Sequence, residues 1–225
     1  MARKPRLAVA GQIHWVTWLG HNRQAVCMDE QDRSVFLALL AEAARREGVQ
    51  VHAYALLTNE VHLLVTPAQA DALARCMQAV GRAYVRRFND RHLRSGTLWA
   101  GRYRSLLVQP DWAIWAMVWF DGLAGAAGAA PEQGAGSSFG HYAGRRHDKW
   151  LSAPPAYWTL GNTPFAREAA YAQWAGQGLS ASQRRAWLAA LNSGWALGSP
   201  AYQATMGEAL GQPLLKRRAG RPAKI

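Results

Sequence analysis

The order of apolar patterns along residues 12–120 constrains the fold more than any other feature of this chain. Short β-branched and aromatic runs, typical of strands, alternate with segments whose apolar residues recur at helical spacing. The order is strand, helix, strand, strand, helix, strand, helix. It predicts an α+β fold: a ferredoxin-like, four-stranded antiparallel sheet with its helices on one face. Half of the 225 residues are hydrophobic, which is enough for the core of such a domain.

Capping and turn residues set the bounds of these elements. Asp29 can cap the first helix, which runs to about Glu47. Pro110 opens a Trp-rich helix that is expected to end near Phe120. The other predicted elements are strands at His14–Trp18, Val51–Leu57, Val61–Thr66 and Leu106–Val108 and a helix at Ala70–Phe88.

Composition divides the chain into four predicted parts. Residues 1–121 form the ferredoxin-like domain, and residues 122–138, rich in Gly and Ala, form a flexible connector. Residues 139–211 form an extension of short helices, in which Ser199 and Pro200 begin a helix and Trp187 and Trp195 belong to the core. Residues 212–225 form a basic tail.

The charge balance narrows the classes of partner. The chain has 26 basic and 14 acidic side chains, a net charge of +12, which favours a polyanion. The longest apolar run, Trp112–Phe120, is too short to cross a membrane, and two cysteines give no disulfide framework. We therefore expect a cytoplasmic protein that does not bind membranes.

The helix at Ala70–Phe88 separates apolar from basic residues. At about 100° per residue, Leu73, Met77, Val80, Tyr84 and Phe88 share one side, and three arginines share the other. Asp90 is the only acidic residue in 75–104, and a stripe of one sign fits a surface that follows phosphates. The candidate DNA-contacting residues are Arg23, Arg75, Arg82, Arg86, Arg87, Arg91, Arg94, Arg102 and Arg104, and Lys216, Arg217, Arg218 and Arg221 of the tail.

Four stretches of sequence carry a family resemblance. They are HWVT at 14–17 with GHNRQ at 20–24, LTNEVHLLV at 57–65, FNDRH at 88–92 with GTLWAGRYR at 96–104, and GWALGS at 194–199 with the Gly-Arg-Pro of the tail. Together they resemble the REP-associated tyrosine transposases, which are single-tyrosine HUH transposases of bacteria. The resemblance covers almost the whole chain.

The resemblance implies a catalytic centre that this chain keeps only in part. In the family, two histidines on one strand hold a divalent metal on the phosphate of single-stranded DNA beside a hairpin, and a tyrosine attacks it. The histidine pair corresponds to Glu60 and His62, the tyrosine to Phe120, and a further polar group that helps the metal to Ala124. One histidine and the attacking hydroxyl are therefore missing.

These replacements differ in severity. Carboxylate oxygens suit magnesium or manganese, so Glu60 and His62 could hold either ion weakly. Alternatively, Glu60 is a charged residue at a turn and His62 only forms hydrogen bonds. Phe120 has no hydroxyl and cannot attack phosphorus. Three tyrosines are candidate substitutes, Tyr84, Tyr103 and Tyr142, and none is a natural replacement.

The sequence thus predicts a transposase-like protein of the bacterial cytoplasm and nucleoid. We expect it to bind hairpin or single-stranded DNA of a palindromic repeat, without cutting it and without requiring a metal. Two alternatives stay open: an active metal-dependent transposase or nuclease with a substitute nucleophile, and a noncatalytic partner of an active transposase. A homodimer is compatible with each.

Overall fold

A five-stranded mixed sheet lies at the centre of the computed structural model, which describes residues 7–126, 136–193, 196–211 and 213–214. The strands follow the order β2-β3-β1-β4-β5. The first four are antiparallel, which confirms the predicted α+β class and the ferredoxin-like order. Their bounds are His14–Leu19 for β1, Val49–Leu56 for β2, Glu60–Pro67 for β3 and Arg104–Val108 for β4.

The fifth strand comes from the segment that was expected to be helical. β5 (Ala196–Leu197) runs parallel to β4, with Ala196 opposite Leu107 and Leu197 opposite Val108. Leu107, Ala196 and Leu214 are buried together in a small cluster at this edge. A strand of two residues is too short to show alternation in the sequence, so the purely four-stranded antiparallel prediction is corrected here to a mixed sheet.

Two long helices cover one face of the sheet. α1 (Glu30–Glu47) begins at Asp29, whose side chain accepts a hydrogen bond from the backbone N–H of Asp32, as the capping signal predicted. It ends at Gly48, whose φ of +69° is a left-handed value that glycine adopts readily. α2 (Ala72–Arg91) buries the complete apolar side predicted for it.

The third helix lies on the opposite face, so the prediction of helices on one face only is wrong. α3 (Ala113–Ala126) presses Phe120 against Trp15 of β1, whereas Trp18 of the same strand packs on Gly81 of α2. Residues 15 and 18 differ by an odd number, so they point to opposite faces. α3 is apolar almost all round, which suits a helix enclosed between a sheet and other helices. It also continues six residues beyond the predicted end at Phe120.

The extension consists of short helices that close over α3. Ser199 caps the last of them as predicted, by accepting a hydrogen bond from the N–H of Tyr202. Trp187 is fully buried, as expected, and Trp195 and residues 127–135 of the predicted connector lie outside the described residues. Among the described residues, no helix combines the length and apolarity needed to cross a bilayer. The helices are α4 (Phe139–Tyr142), α5 (Pro155–Trp158), α6 (Pro164–Gln177), α7 (Ala181–Ser193) and α8 (Pro200–Ala209).

A buried histidine at the start of β1 makes the fold sensitive to acid. The Nδ1–H of His14 donates to the carbonyl of Gln12 at 2.7 Å, and Nε2 accepts from the N–H of Val9 at 3.1 Å. Only neutral imidazole can do both. Burial lowers the pKa of His14 from 6.5 to about 4, against the opposing effect of the hydrogen bond to Gln12.

We expect the free energy of unfolding to fall as the pH drops from about 6.5 towards 4, because the unfolded chain binds a proton there and the folded chain does not. The shift corresponds to a contribution from His14 on the order of 3 kcal/mol, present above pH 6.5. Urea unfolding of the wild type and of His14→Gln, measured across this range, tests it. The variant should be less stable near neutral pH but lose less stability on acidification, and identical pH slopes would contradict the assignment.

Candidate functional site

The positions that the family resemblance singled out meet on the face of the sheet covered by α3. In one row across the strands, His62 of β3 lies opposite Thr17 of β1, and Thr17 lies opposite Arg104 of β4. Directly paired residues share a face, so Arg104 lies on the same side of the sheet as His62. Glu60, two residues before His62 and opposite Leu19, is the next residue of β3 on the same face.

The buried imidazole of His62 is held between two side chains. The indole N–H of Trp15 donates to Nδ1 at 3.1 Å, so Nδ1 must be an acceptor. In neutral imidazole the proton then lies on Nε2. Nε2 is 3.2 Å from Oε1 of Glu60, outside the angles of a hydrogen bond. The neighbouring His62 lowers the pKa of Glu60 against the effect of burial, and Arg23 adds to this lowering.

This arrangement does not fit the divalent metal that the family implies. A metal ligand must offer a lone pair, and the proton on Nε2 covers the one that Nδ1 leaves. The third family position, Ala124, is a buried methyl group without a donor atom. In the part of the chain that is described, no three His, Cys, Asp or Glu side chains come close enough to share an ion.

The position of the family tyrosine is sealed by aromatic rings. Phe120 is fully buried, with its ring centroid 5.5 Å from that of Trp15 and 5.6 Å from that of His62. Trp187 of α7 stacks on Trp15 at 5.5 Å and also contacts Trp119. We call Trp15, His62, Phe120 and Trp187 the aromatic enclosure. Sequence reasoning assigned Trp187 to the core but had no signal that it covers this position.

The tyrosines that could replace the missing nucleophile have other roles in the fold. Tyr84 donates to the carbonyl of Val26 at 2.5 Å, and Tyr142 donates to the carbonyl of His52. Burial raises the pKa of both phenols. A nucleophilic phenol needs a lowered pKa or an adjacent base, so neither hydroxyl is activated for attack. Tyr103 is buried on the face that α2 covers, because it lies two residues before Ser105, the partner of Val16.

One buried pair escaped the sequence analysis. Tyr171 of α6 donates to Oδ2 of Asp121 at 2.5 Å, directly beside Phe120 in the chain. Burial raises the pKa of Asp121 to about 7, although the hydrogen bond from Tyr171 opposes this shift. The pair ties the extension to α3. A carboxylate and a phenol far apart in the sequence give no motif, so no pattern could have indicated it.

Three of the predicted DNA-contacting arginines form contacts within the fold. Arg75 bonds Glu47 at 2.7 Å and also pairs with Asp71. Arg91 pairs with Asp29 and with the buried Asp32, both at 2.5 Å. Arg94 donates to the side chain of Gln24 and to the carbonyl of Thr97. Most of these acceptors lie outside 75–104, so the single acidic residue within that stretch, Asp90, did not reveal the pairing.

The remaining arginines of the set are exposed. Arg86 lies 4.0 Å from Asp90, which is a long contact. Within the described ranges, no ion pair forms at Arg23, Arg82, Arg87, Arg102 or Arg104. We call Arg82, Arg86, Arg87 and Arg102 the arginine surface; it lies on the α2 side of the sheet, opposite the aromatic enclosure. Arg23 has a left-handed φ of 58° beside Asn22 at 50°. Lys216, Arg217, Arg218 and Arg221 lie outside the described residues.

A known protein family matches the part of the chain that forms most of the sheet and the helices α1 and α2. Residues 9–114, just under half of the chain, match the family described as "Transposase IS200 like". Those residues belong to the IS200-like transposase family. They form the transposase domain, which contains β1 to β4, α1, α2, His62 and the start of α3.

Two solved structures also match parts of this chain. A REP-associated tyrosine transposase, bound to a REP hairpin, has a TM-score of 0.52 and 13% identity, over 69% of this chain and 93% of that chain. The same fold therefore extends beyond the transposase domain. A putative transposase from Deinococcus radiodurans R1 is 25% identical over 48% of this chain and 87% of that one, with a TM-score of 0.37. Among curated proteins, no sequence matches.

We expect Trp187→Ala to lower the free energy of unfolding by about 3–5 kcal/mol, because it empties a filled aromatic site. The neighbouring Leu188 is 42% exposed on the same helix, so Leu188→Ala should cost well under half as much. Chemical denaturation followed by circular dichroism measures both. Equal losses for the two variants would show that α7 does not seal the enclosure.

Proposed function

We propose that this transposase relative binds hairpin or single-stranded DNA and does not cut it. One observation carries the proposal: at the position of the family nucleophile, Phe120 is sealed inside the aromatic enclosure. A benzene ring cannot form a bond to phosphorus. The same enclosure leaves His62 with a protonated Nε2, so the site supplies neither the attacking oxygen nor a histidine that can bind a metal.

The geometry also argues against a substitute nucleophile. The phenols of Tyr84, Tyr142 and Tyr171 are buried, and each donates its proton to an oxygen at another place in the fold. Water activated by a metal would need an ion held by more than Glu60 and His62. We therefore propose that the protein needs neither magnesium nor manganese for its function.

The case for DNA binding rests on charge that the fold leaves unneutralised. The arginine surface presents four exposed guanidinium groups on one side of the molecule, and only Arg86 has an acidic partner among the described residues, Asp90 at 4.0 Å. Guanidinium pairs with phosphate through two parallel hydrogen bonds. The family of the transposase domain and the hairpin bound by the similar structure favour DNA as the polyanion. A DNA-bound protein of this kind would associate with the nucleoid. The homodimer and the role as a partner of an active transposase stay predictions.

The first test is strand cleavage. Labelled hairpin DNA with single-stranded flanks, incubated with the protein and magnesium or manganese, should show neither a nick nor a covalent adduct on denaturing gels. Phe120→Tyr should also form no adduct, because the new hydroxyl would be buried beside a protonated Nε2. An adduct or a nick with the wild-type protein would refute the proposal.

The second test is the salt dependence of DNA affinity. Replacing Arg82 and Arg86 together by Ala should weaken binding and reduce the slope of log K against log salt by about 1.4, since each phosphate contact contributes about 0.7 on a single strand. The control is Arg184→Ala with Arg185→Ala on α7, which removes the same charge from exposed positions on the other side of the sheet. Fluorescence anisotropy titrations measure both, and equal effects would indicate attraction by net charge alone.

A further inference from the structure

An open pocket of about 670 Å³ lies beside the arginine surface, between α2 and the segment before β4. It is on the side of the sheet opposite the aromatic enclosure, because Trp18 lines it and Trp18 points to the α2 face. The volume is within the range of small-molecule sites and is large enough for a nucleobase with its sugar. The residues that line the pocket include neither Glu60 nor any member of the aromatic enclosure.

The inner wall of the pocket contains two aromatic rings that are largely buried, each 7% exposed, and held in place. The rings of Trp18 and Trp99 stack with centroids 4.0 Å apart and planes 14° from parallel. The indole N–H of Trp18 donates to the carbonyl of Gly101 at 2.9 Å. A Cβ at Gly81 would lie 2.5 Å from the Trp18 ring, so glycine is what lets the ring pack directly on the helix. Such a wall is fixed before any ligand arrives.

The rim of the pocket is cationic. Arg82 and Arg102 line it and are exposed, and neither forms an ion pair within the part of the chain that the structure describes. Arg75 also lines it but is neutralised by Glu47 and Asp71. The exposed amide of Gln78 adds one group that can both donate and accept hydrogen bonds.

An aromatic wall beneath two unpaired guanidinium groups matches one kind of ligand. Single-stranded nucleic acid offers a flat apolar base between two phosphates, and its binding sites combine stacking side chains with a basic track. A paired base inside a duplex could not enter such a pocket. We propose that the pocket receives one unpaired base of the bound strand, while Arg82 and Arg102 contact the flanking phosphates. This inference rests on the proposed function and adds a subsite to it.

The test compares binding of a fluorescein-labelled hairpin with single-stranded flanks, in which an abasic site replaces each flanking nucleotide in turn. With the wild-type protein, one position should lose about 5- to 150-fold in affinity when its base is removed, which is the range of base–aromatic stacking. Ala74→Trp fills the pocket from an exposed position, and should bind the intact strand no better than wild type binds that abasic strand. In this variant the abasic penalty should disappear.

Two controls show whether a change in the abasic penalty is specific to the pocket. Ala189→Trp makes the same change at an exposed position on α7 and should keep the abasic penalty. Arg82→Ala should reduce the penalty, whereas Arg86→Ala, one turn along the helix and outside the pocket, should weaken intact and abasic strands equally. This pair of variants remains informative if Ala74→Trp does not fold.

The experiment distinguishes a failure of the pocket proposal from a failure of the proposed DNA binding. If the wild type binds the hairpin but Ala74→Trp retains the affinity and the penalty, the pocket proposal is wrong and DNA binding stands. If no strand binds at low salt, the proposed function fails as well. A free deoxynucleotide that binds the pocket more tightly than the oligonucleotide would overturn the assignment of the ligand to a strand.

Discussion

The hydrogen bond from the indole of Trp15 to Nδ1 of His62 decides what the α3 face of this sheet can do. It places the imidazole proton on Nε2, towards Glu60. Neither ring nitrogen of the retained histidine then has a free lone pair. The same indole packs against Phe120 and stacks on Trp187. One side chain of β1 thereby joins the sheet, α3 and α7 around a position where the family needs an open site.

The two sides of the sheet consequently have different characters. On the α3 side, aromatic rings pack around His62 and Phe120, and Arg104 is a predicted DNA-contacting arginine that shares this face. On the α2 side, the arginines are exposed, and the pocket beside them is lined by the largely buried rings of Trp18 and Trp99. Under the proposed function, DNA binding and strand cleavage would depend on different residues on opposite faces of the sheet, so one could be lost while the other is kept.

Sequence reasoning succeeded where the causes are local. The Asp29 cap and the apolar stripe of α2 follow from neighbours within a few residues, and both are confirmed. The order of strands followed from turn signals and alternation. Phe120 and His62 were identified as the decisive positions by resemblance, which could not show what surrounds them.

What the sequence did not reveal are contacts between distant segments. The ion pairs of Arg91 were not predicted because its partners, Asp29 and Asp32, are about 60 positions away. The face occupied by α3 and the existence of β5 depend on tertiary packing, which leaves no periodic signal in fourteen or two residues. A donor on one strand that fixes the tautomer of a histidine on another is likewise invisible in a single sequence.

The most direct measurement is the state of the His62 ring itself. Heteronuclear spectra of protein labelled with nitrogen-15 distinguish the two imidazole tautomers, and added manganese broadens the signals of any ring that it approaches. The account predicts an Nε2-protonated His62 whose signals stay sharp as manganese is added. An Nδ1-protonated ring, or selective broadening of His62 by manganese, would contradict it.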